Sequence, residues 1–457
     1  MFSTDTIAAI STAAGTGAIA VIRLSGKEAI EITDKVFVST TSNKKLVDQK
    51  NNTTHFGRIN ENNQIVDEVV VSIFKAPHSY TSENIVEISC HGSPYIQQRI
   101  LQLLIKSGAT MAQAGEFTFR AFINGKMDLS QAEAVADLIS STNDASHRVA
   151  MNQMRGGFSN ELKGLREKLL NFVSLVELEL DFSEEDVEFA DRTQLKDLVD
   201  EMLTIISKLE NSFKMGNVIK NGLPVVIVGQ PNVGKSTLLN ALLNEEKAIV
   251  SEIAGTTRDS IEDTITIQGI KFRFIDTAGL RETTDVIENL GIDRTYKKMD
   301  EAEIIILLTE PEAPGISLML QIAGILEKNK KLVVVFNKID VQQSAQLPTF
   351  ESDYKTVYIS AKHKQNLDEL KQVLIDLSGW SDYSENDVIV TNVRHYQALS
   401  RAHESLSLVR ADLNTQISGE FLSFDIREAI NTLGEITGEI SVDDILGNIF
   451  KNFCIGK

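Results

Sequence analysis

Gly229-Gln230-Pro231-Asn232-Val233-Gly234-Lys235-Ser236 decides how the chain is read. This G-x-x-x-x-G-K-[ST] string follows a continuous apolar run, Val225 to Val228, of the kind buried in parallel sheets. It precedes the helical pattern Thr237-Leu238-Leu239-Asn240-Ala241-Leu242. A strand, a glycine-rich turn and a helix in that order aim backbone N–H groups at the α- and β-phosphates of a nucleotide. Lys235 then reaches the β- and γ-phosphates, and the Ser236 hydroxyl meets Mg2+. The contacts expected from this loop are Asn232, Val233, Gly234, Lys235, Ser236 and Thr237.

Further strings follow in order. Asp276-Thr277-Ala278-Gly279 begins where a predicted strand, Phe272 to Ile275, ends, so its carboxylate can hold a magnesium-bound water and the Gly279 N–H can meet the γ-phosphate. Asn337-Lys338-Ile339-Asp340 ends the predicted strand Leu332 to Phe336. Asp340 can accept from the N1–H and the exocyclic amine of guanine, whereas adenine offers an acceptor at N1, so GTP is expected over ATP. Ser360-Ala361-Lys362 closes the base pocket after the predicted strand Thr356 to Ile359, and Thr256-Thr257 offers a switch threonine for Mg2+, assigned to Thr257. With Ile304 to Leu308, these strands predict a doubly wound α/β domain over residues 216–379. The set resembles the Ras-like GTPase superfamily. Leu280 stands where Ras-type proteins carry a water-orienting Gln, so hydrolysis needs another device, such as Glu282 or Glu288 together with an extra cation near the transferred phosphate.

The chain has 457 residues, 42% hydrophobic and 24% charged, which excludes a disordered or collagen-like chain and predicts several compact units. Lys plus Arg number 45 against 64 Asp plus Glu, a formal net charge of −19, so bulk charge does not bind nucleic acid and any RNA contact is local. Two cysteines, Cys90 and Cys454, exclude a disulfide framework, and no apolar run is long enough to span a bilayer. A cytoplasmic protein without membrane contact is expected. Residues 1–124 mix short β-rich runs (Ala18 to Leu24, Glu68 to Phe74, Ile85 to Ile88) with helical stretches, an α+β pattern. Residues 125–215 carry apolar stripes at three- and four-residue spacing, with an acidic connector at Asp181 to Asp191, and residues 380–457 return to that spacing from Leu399 to Leu413. The α/β domain is therefore predicted to be inserted into one helical domain built from both flanks.

Four segments carry a closer likeness. Asp5-Thr6-Ile7-Ala8 through Val21-Ile22-Arg23-Leu24-Ser25-Gly26, Gly115 to Lys126, Ile253-Ala-Gly-Thr-Thr-Arg-Asp259 and Phe453-Cys-Ile-Gly-Lys457 resemble the MnmE family of tRNA-modification GTPases, also called TrmE. The resemblance implies an N-terminal folate-binding and dimerising domain, a helical domain and an inserted G domain. It implies joint action with the flavoprotein MnmG, which carries the FAD, on C5 of a tRNA wobble uridine. A 5-formyl- or 5,10-methylene-tetrahydrofolate supplies the one-carbon unit, placed by matching positions on Arg23, Glu87, Lys126 and Lys457. Potassium is implied on Asn232, Ser251, Ile253 and Thr256, within a nucleotide-contacting loop Ser251, Glu252, Ile253, Ala254, Gly255, Thr256 and Thr257. Position 251 is Ser where relatives carry Thr. The implied general base is Glu288, with Glu282 its local competitor, and G domains pair across their nucleotide faces. Cys454 is read either as a nucleophile in the one-carbon chemistry or as a small buried hydrophobe; Cys90 is read as a packed strand residue, with His91 beside the folate. The alternative reading is a ribosome-assembly or other RNA-binding GTPase switch.

Overall fold

The computed structural model describes residues 5–40, 44–181, 192–247, 263–275, 299–311, 322–327, 330–341, 354–380, 383–384, 387–415, 419–440, 443–451 and 453–456. Contacts divide the chain into two units: Met1–Ser140, Met151–Val199 and Glu404–Lys457 form one, and Ser141–Ala150 with Asp200–His403 the other.

In the first unit, strands β1 (Ile7–Ile10), β2 (Ile19–Ser25), β3 (Phe37–Ser39), β4 (Thr53–Glu61), β5 (Gln64–Phe74), β6 (Ile85–His91) and β7 (Thr110–Met111) form one sheet in the order β3-β4-β5-β6-β2-β1-β7. Two-residue alternation builds it: Ala20, Ile22 and Leu24 are buried, while Arg23 turns to the opposite face. The register β2 to β6 sets Arg23 opposite Glu87. Helices α1 (Ala29–Asp34) and α2 (Pro94–Lys106) supply Ile30, Ile100 and Leu104 to the sheet's core. Helices α3 (Glu116–Ile123) and α4 (Leu129–Ser140) follow. The same unit holds α6 (Gly157–Asp181), which packs against α11 (Gly419–Thr437) from the far end of the chain. Arg166, nearly buried, donates from Nε to the Ile430 carbonyl at 3.1 Å and pairs with Glu439. One helical body is thus built from both flanks of the α/β unit. The acidic connector read at Asp181 to Asp191 lies outside the described residues apart from Asp181.

In the second unit, β8 (Leu223–Val228), β9 (Asp263–Ile267), β10 (Ile270–Phe274), β11 (Ile304–Thr309), β12 (Lys331–Phe336) and β13 (Lys355–Tyr358) run in the order β13-β12-β11-β8-β10-β9. Every neighbouring pair is parallel except β9 with β10. Helix α8 (Lys235–Lys247) follows the glycine-rich turn and starts two residues earlier than its apolar pattern, at Lys235 itself. Helix α7 (Arg192–Asn221) leads into β8, and α9 (Leu367–Ser378) and α10 (Val393–Thr415) come after β13. Within it, Gly216 admits the Val390 carbonyl so closely that a Cβ would lie 1.9 Å from that oxygen, and the buried Ser212 hydroxyl accepts from the Val390 N–H at 3.0 Å. Residues 141–150 also belong to this unit. Ala145 and Val149 of α5 (Asp144–Met154) are buried in its core, the Ala145 N–H donates to the Gly269 carbonyl at 3.3 Å, and the Arg148 guanidinium lies 4.3 Å from the centre of the Trp380 ring. Among the described residues no helix is long and apolar enough to cross a membrane.

Candidate functional site

Chain order reverses around β8, which lies between β10 and β11, so its C-terminal end is the crevice where open α/β sheets take ligands. The turn Gly229–Ser236 starts there. Gly229 has φ +150° and Gly234 +99°, and Asn232, with a side chain, also sits in the left-handed region at +65°. A Cβ on Gly229 would meet the Leu308 carbonyl at 2.2 Å, so strand β11 presses directly on the loop.

Asn337 ties the loop to the base-recognition strings. Buried at the end of β12, it donates from Nδ2 to the Val233 carbonyl at 2.8 Å and accepts the Ala361 N–H on Oδ1 at 2.9 Å. One amide thus joins three sequence motifs, using both its donor and its acceptor. Asp340 Oδ1 accepts the Ser360 hydroxyl at 2.6 Å, and Oδ2 lies 3.5 Å from His363 Nε2. The Ser360 hydrogen bond, with smaller help from the Asp340 N–H, His363 and Lys362, holds this carboxyl below its ordinary range. Ser360 is anchored in turn by a backbone bridge to Gln365, at 3.2 and 3.0 Å. Lys338, at φ +68°, pairs with Glu310 at the end of β11. Ala361 is buried and Lys362 exposed.

Lys235 Nζ donates to the Gly229 and Gln230 carbonyls at 2.8 and 2.9 Å. Burial lowers its pKa, since no described carboxylate offsets its desolvation. A half-buried ammonium at a helix N-terminus, held among the described residues by carbonyls alone, suits an anionic ligand. Ser236 and Thr237 lie in the first turn of α8.

Ser251, Glu252, Ile253, Ala254, Gly255, Thr256, Thr257, Asp276, Thr277, Ala278, Gly279, Glu282 and Glu288 lie outside the described residues, as does Lys457. The structure therefore brings together Asn232 to Thr237, Asn337 to Asp340 and Ser360 to Lys362.

A second cluster lies in the sheet of the other unit. Arg23 donates from Nε and Nη2 to the same oxygen, Glu87 Oε1, at 2.9 and 2.7 Å. Among the described residues, Arg23 Nη1 and Glu87 Oε2 make no hydrogen bond, so the pair keeps one donor nitrogen and one acceptor oxygen in reserve. Lys126 is exposed beyond α3. Cys454 is exposed, not packed as a buried hydrophobe. Its neighbours dock on the sheet domain: Ile455 bridges Ala114, and the Ser11 hydroxyl donates to the Gly456 carbonyl at 3.1 Å. Cys90 is buried, and desolvation, then Asp67, pushes its thiol up to about 11. His91 is held by Asp67, which accepts Nδ1–H at 2.7 Å and the backbone N–H at 2.8 Å. Sequence reading missed two residues here. The Arg23 guanidinium lies 5.6 Å from the ring centre of Tyr80 and 5.8 Å from that of Phe117, neighbours that no motif spacing announces.

Two protein families match the chain: the GTP-binding protein TrmE N-terminus over residues 6–126 and the MnmE helical domain over residues 129–454. The tRNA modification GTPase MnmE of Bacteroides thetaiotaomicron is 56% identical, covering 99% of both chains. That of Flavobacterium johnsoniae is 54% identical over 100% of both, and that of Parabacteroides distasonis 55% over 99% of this chain and 100% of its own. With the glycine-rich turn, the Asn337 clamp and the Asp340 carboxylate set in one crevice, these likenesses lead to one assignment: the chain belongs to the MnmE family of tRNA modification GTPases, GTP-hydrolysing enzymes that act in tRNA modification.

Proposed function

We propose that this GTPase works with a flavoprotein of the MnmG type to place an aminomethyl or carboxymethylaminomethyl group on C5 of a tRNA wobble uridine. A tetrahydrofolate supplies the one-carbon unit. The observation that carries the folate reading is the Arg23–Glu87 pair with its unused donor edge and carboxylate oxygen. A pterin presents an amide edge with an N–H beside a carbonyl, which such a pair complements. Lys126 and Lys457 are proposed for the glutamate tail and Cys454, exposed beside the docked tail, for the one-carbon chemistry.

In the G domain, Asp340 reads guanine, with Asn337, Lys338, Ser360, Ala361 and Lys362 framing the base. The turn Asn232 to Thr237 holds the phosphates, with Ser251 to Thr257 and Asp276 to Gly279 completing the site. Among the described residues no group of three or more His, Cys, Asp or Glu could hold a metal. Magnesium would keep waters and phosphate oxygens as most of its ligands, and the hydroxyls of Ser236 and Thr257 are proposed to hold it. Potassium on Asn232, Ser251, Ile253 and Thr256 would supply the positive charge that an arginine finger supplies elsewhere. Leu280 cannot orient water by hydrogen bonding, so Glu288 takes that role through an intervening water. We propose that the protein is a cytoplasmic homodimer whose G domains pair across their nucleotide faces, with functional limits at 1–124, 125–215, 216–379 and 380–457.

Reconstitution with flavoprotein, GTP, folate and unmodified tRNA, read by nucleoside mass spectrometry, tests the whole reading. Modified wobble uridine that requires all four supports it, and an unmodified product rejects it. GTP turnover is expected to rise at least about tenfold in potassium over sodium, as a cation neutralising transition-state charge implies; equal rates would remove the cation.

A further inference from the structure

Arg23 projects from the middle of β2 toward a small apolar cluster of Ile7, Ala9, Ala112 and Phe117, with Tyr80 packed against it. Ala9 is its direct cross-strand neighbour on β1, leaving room for the long side chain to lie flat. The guanidinium rests near both rings, 5.6 Å from the centre of Tyr80 and 5.8 Å from that of Phe117. Both distances are within cation–π range. Phe117 is fully buried, so it cannot move away. Tyr80 is fixed from its other end, its hydroxyl sharing a hydrogen bond with the buried Thr118 at 2.9 Å.

The loop that carries Tyr80 is pinned as well. Ser79 Oγ donates to the Glu83 carbonyl at 2.6 Å, the Ser25 hydroxyl to Glu83 Oε2 at 2.7 Å, and Arg120 pairs with Glu83 at 3.2 Å. Glu87 sets the position of the guanidinium within its plane, through two hydrogen bonds to one oxygen. Two bonds to a single atom leave the plane free to tilt, and the rings supply what they omit.

We propose that Tyr80, together with Phe117, is a positioning residue that fixes the plane of the Arg23 guanidinium, and with it the direction in which the donor left over by Glu87 meets a planar amide edge. The inference rests on the folate reading of this pair and adds to it the residue that sets its geometry.

The test uses the full-length chain, Tyr80→Phe and Tyr80→Leu variants, and calorimetry with 5-formyltetrahydrofolate. Tyr80→Phe keeps the ring and should bind within about twofold of the parent, whereas Tyr80→Leu should bind about tenfold more weakly, the size of a partly desolvated cation–π contact. In an Arg23→Lys background, Tyr80→Leu should add nothing, because its effect passes through Arg23. GTP affinity should not change in either single variant. Unaltered folate binding by Tyr80→Leu, or full additivity with Arg23→Lys, overturns the proposal. A second readout needs no ligand: hydrogen exchange at Arg23 Nε–H should be slow in the parent and faster in Tyr80→Leu. If the parent fails to bind folate, the folate reading falls; equal exchange in parent and variant overturns the positioning role by itself.

Discussion

A methyl group on Gly234 would arrive 2.4 Å from Asn337 Nδ2, the atom that holds the Val233 carbonyl. Gly234 also sits at φ +99°, which an L side chain resists. Gly234→Ala should therefore part the glycine-rich turn from the base-recognition strings and weaken GTP binding at least about tenfold, read by fluorescent-nucleotide titration. Asp340 gives a pH prediction. Under the proposed reading its carboxylate is the form that accepts from guanine, and the Ser360 hydroxyl holds its pKa below the ordinary carboxylate range. Carboxylate is thus present above that lowered value and lost as pH falls through it. Ser360→Ala should move the acid limb of GTP affinity to higher pH, and an unshifted limb would remove the role of this hydrogen bond. The cysteines separate as cleanly. Cys90, buried with its thiol raised to about 11, should resist iodoacetamide at pH 8, while exposed Cys454 is alkylated, giving one label by peptide mass spectrometry.

Among the elements, the strands that reach the nucleotide crevice were the easiest to read. β8, β11 and β12 carry the unbroken apolar runs Val225 to Val228, Ile304 to Leu308 and Leu332 to Phe336 because both faces of a parallel sheet are covered. β9 escaped notice: Asp263-Thr-Ile-Thr-Ile267 alternates polar with apolar, as suits an antiparallel edge strand, and its run is short. The first turns of α5 were equally hidden. Ala145 and Val149 have the spacing of any helical stripe, and nothing in that spacing says that their partners are the sheet of the α/β unit. The glycine-rich turn, Asn337 to Asp340 and Ser360 to Lys362 were legible as strings because the chemistry expected of them dictates their spacing, and these are the ones the structure brings together. The Arg23–Glu87 contact depends on strand register, which a single sequence does not specify, and the resemblance had named the two residues without showing that they touch. Gly216 makes a prediction that opposes helix propensity. Alanine there would gain about 1 kcal/mol of intrinsic helix preference, but its Cβ would lie 1.9 Å from the Val390 carbonyl. Overpacking should win, and Gly216→Ala should lose about 1–3 kcal/mol by urea denaturation; a stabilised variant would show that the segment around Val390 can retreat.

For the whole molecule, sequence reading placed the insertion correctly in kind: α6 and α11 come from opposite flanks of the α/β unit and pack as neighbours. It did not foresee that the tail is sewn to the first strands. Gly456, at φ +93°, lies where a Cβ would meet the Ile10 carbonyl at 2.5 Å, and Gly115, at φ +70°, makes similar room for Phe450 and Phe453. These seats have a temporal meaning. Ser11 and its partner Gly456 are separated by 445 positions, and translation advances at about 5–20 residues per second. At that rate Gly456 follows Ser11 by roughly 20–90 seconds, so a chain stopped just after His403, where the second unit ends, would keep its nucleotide crevice and never seat the tail on the strands it began with.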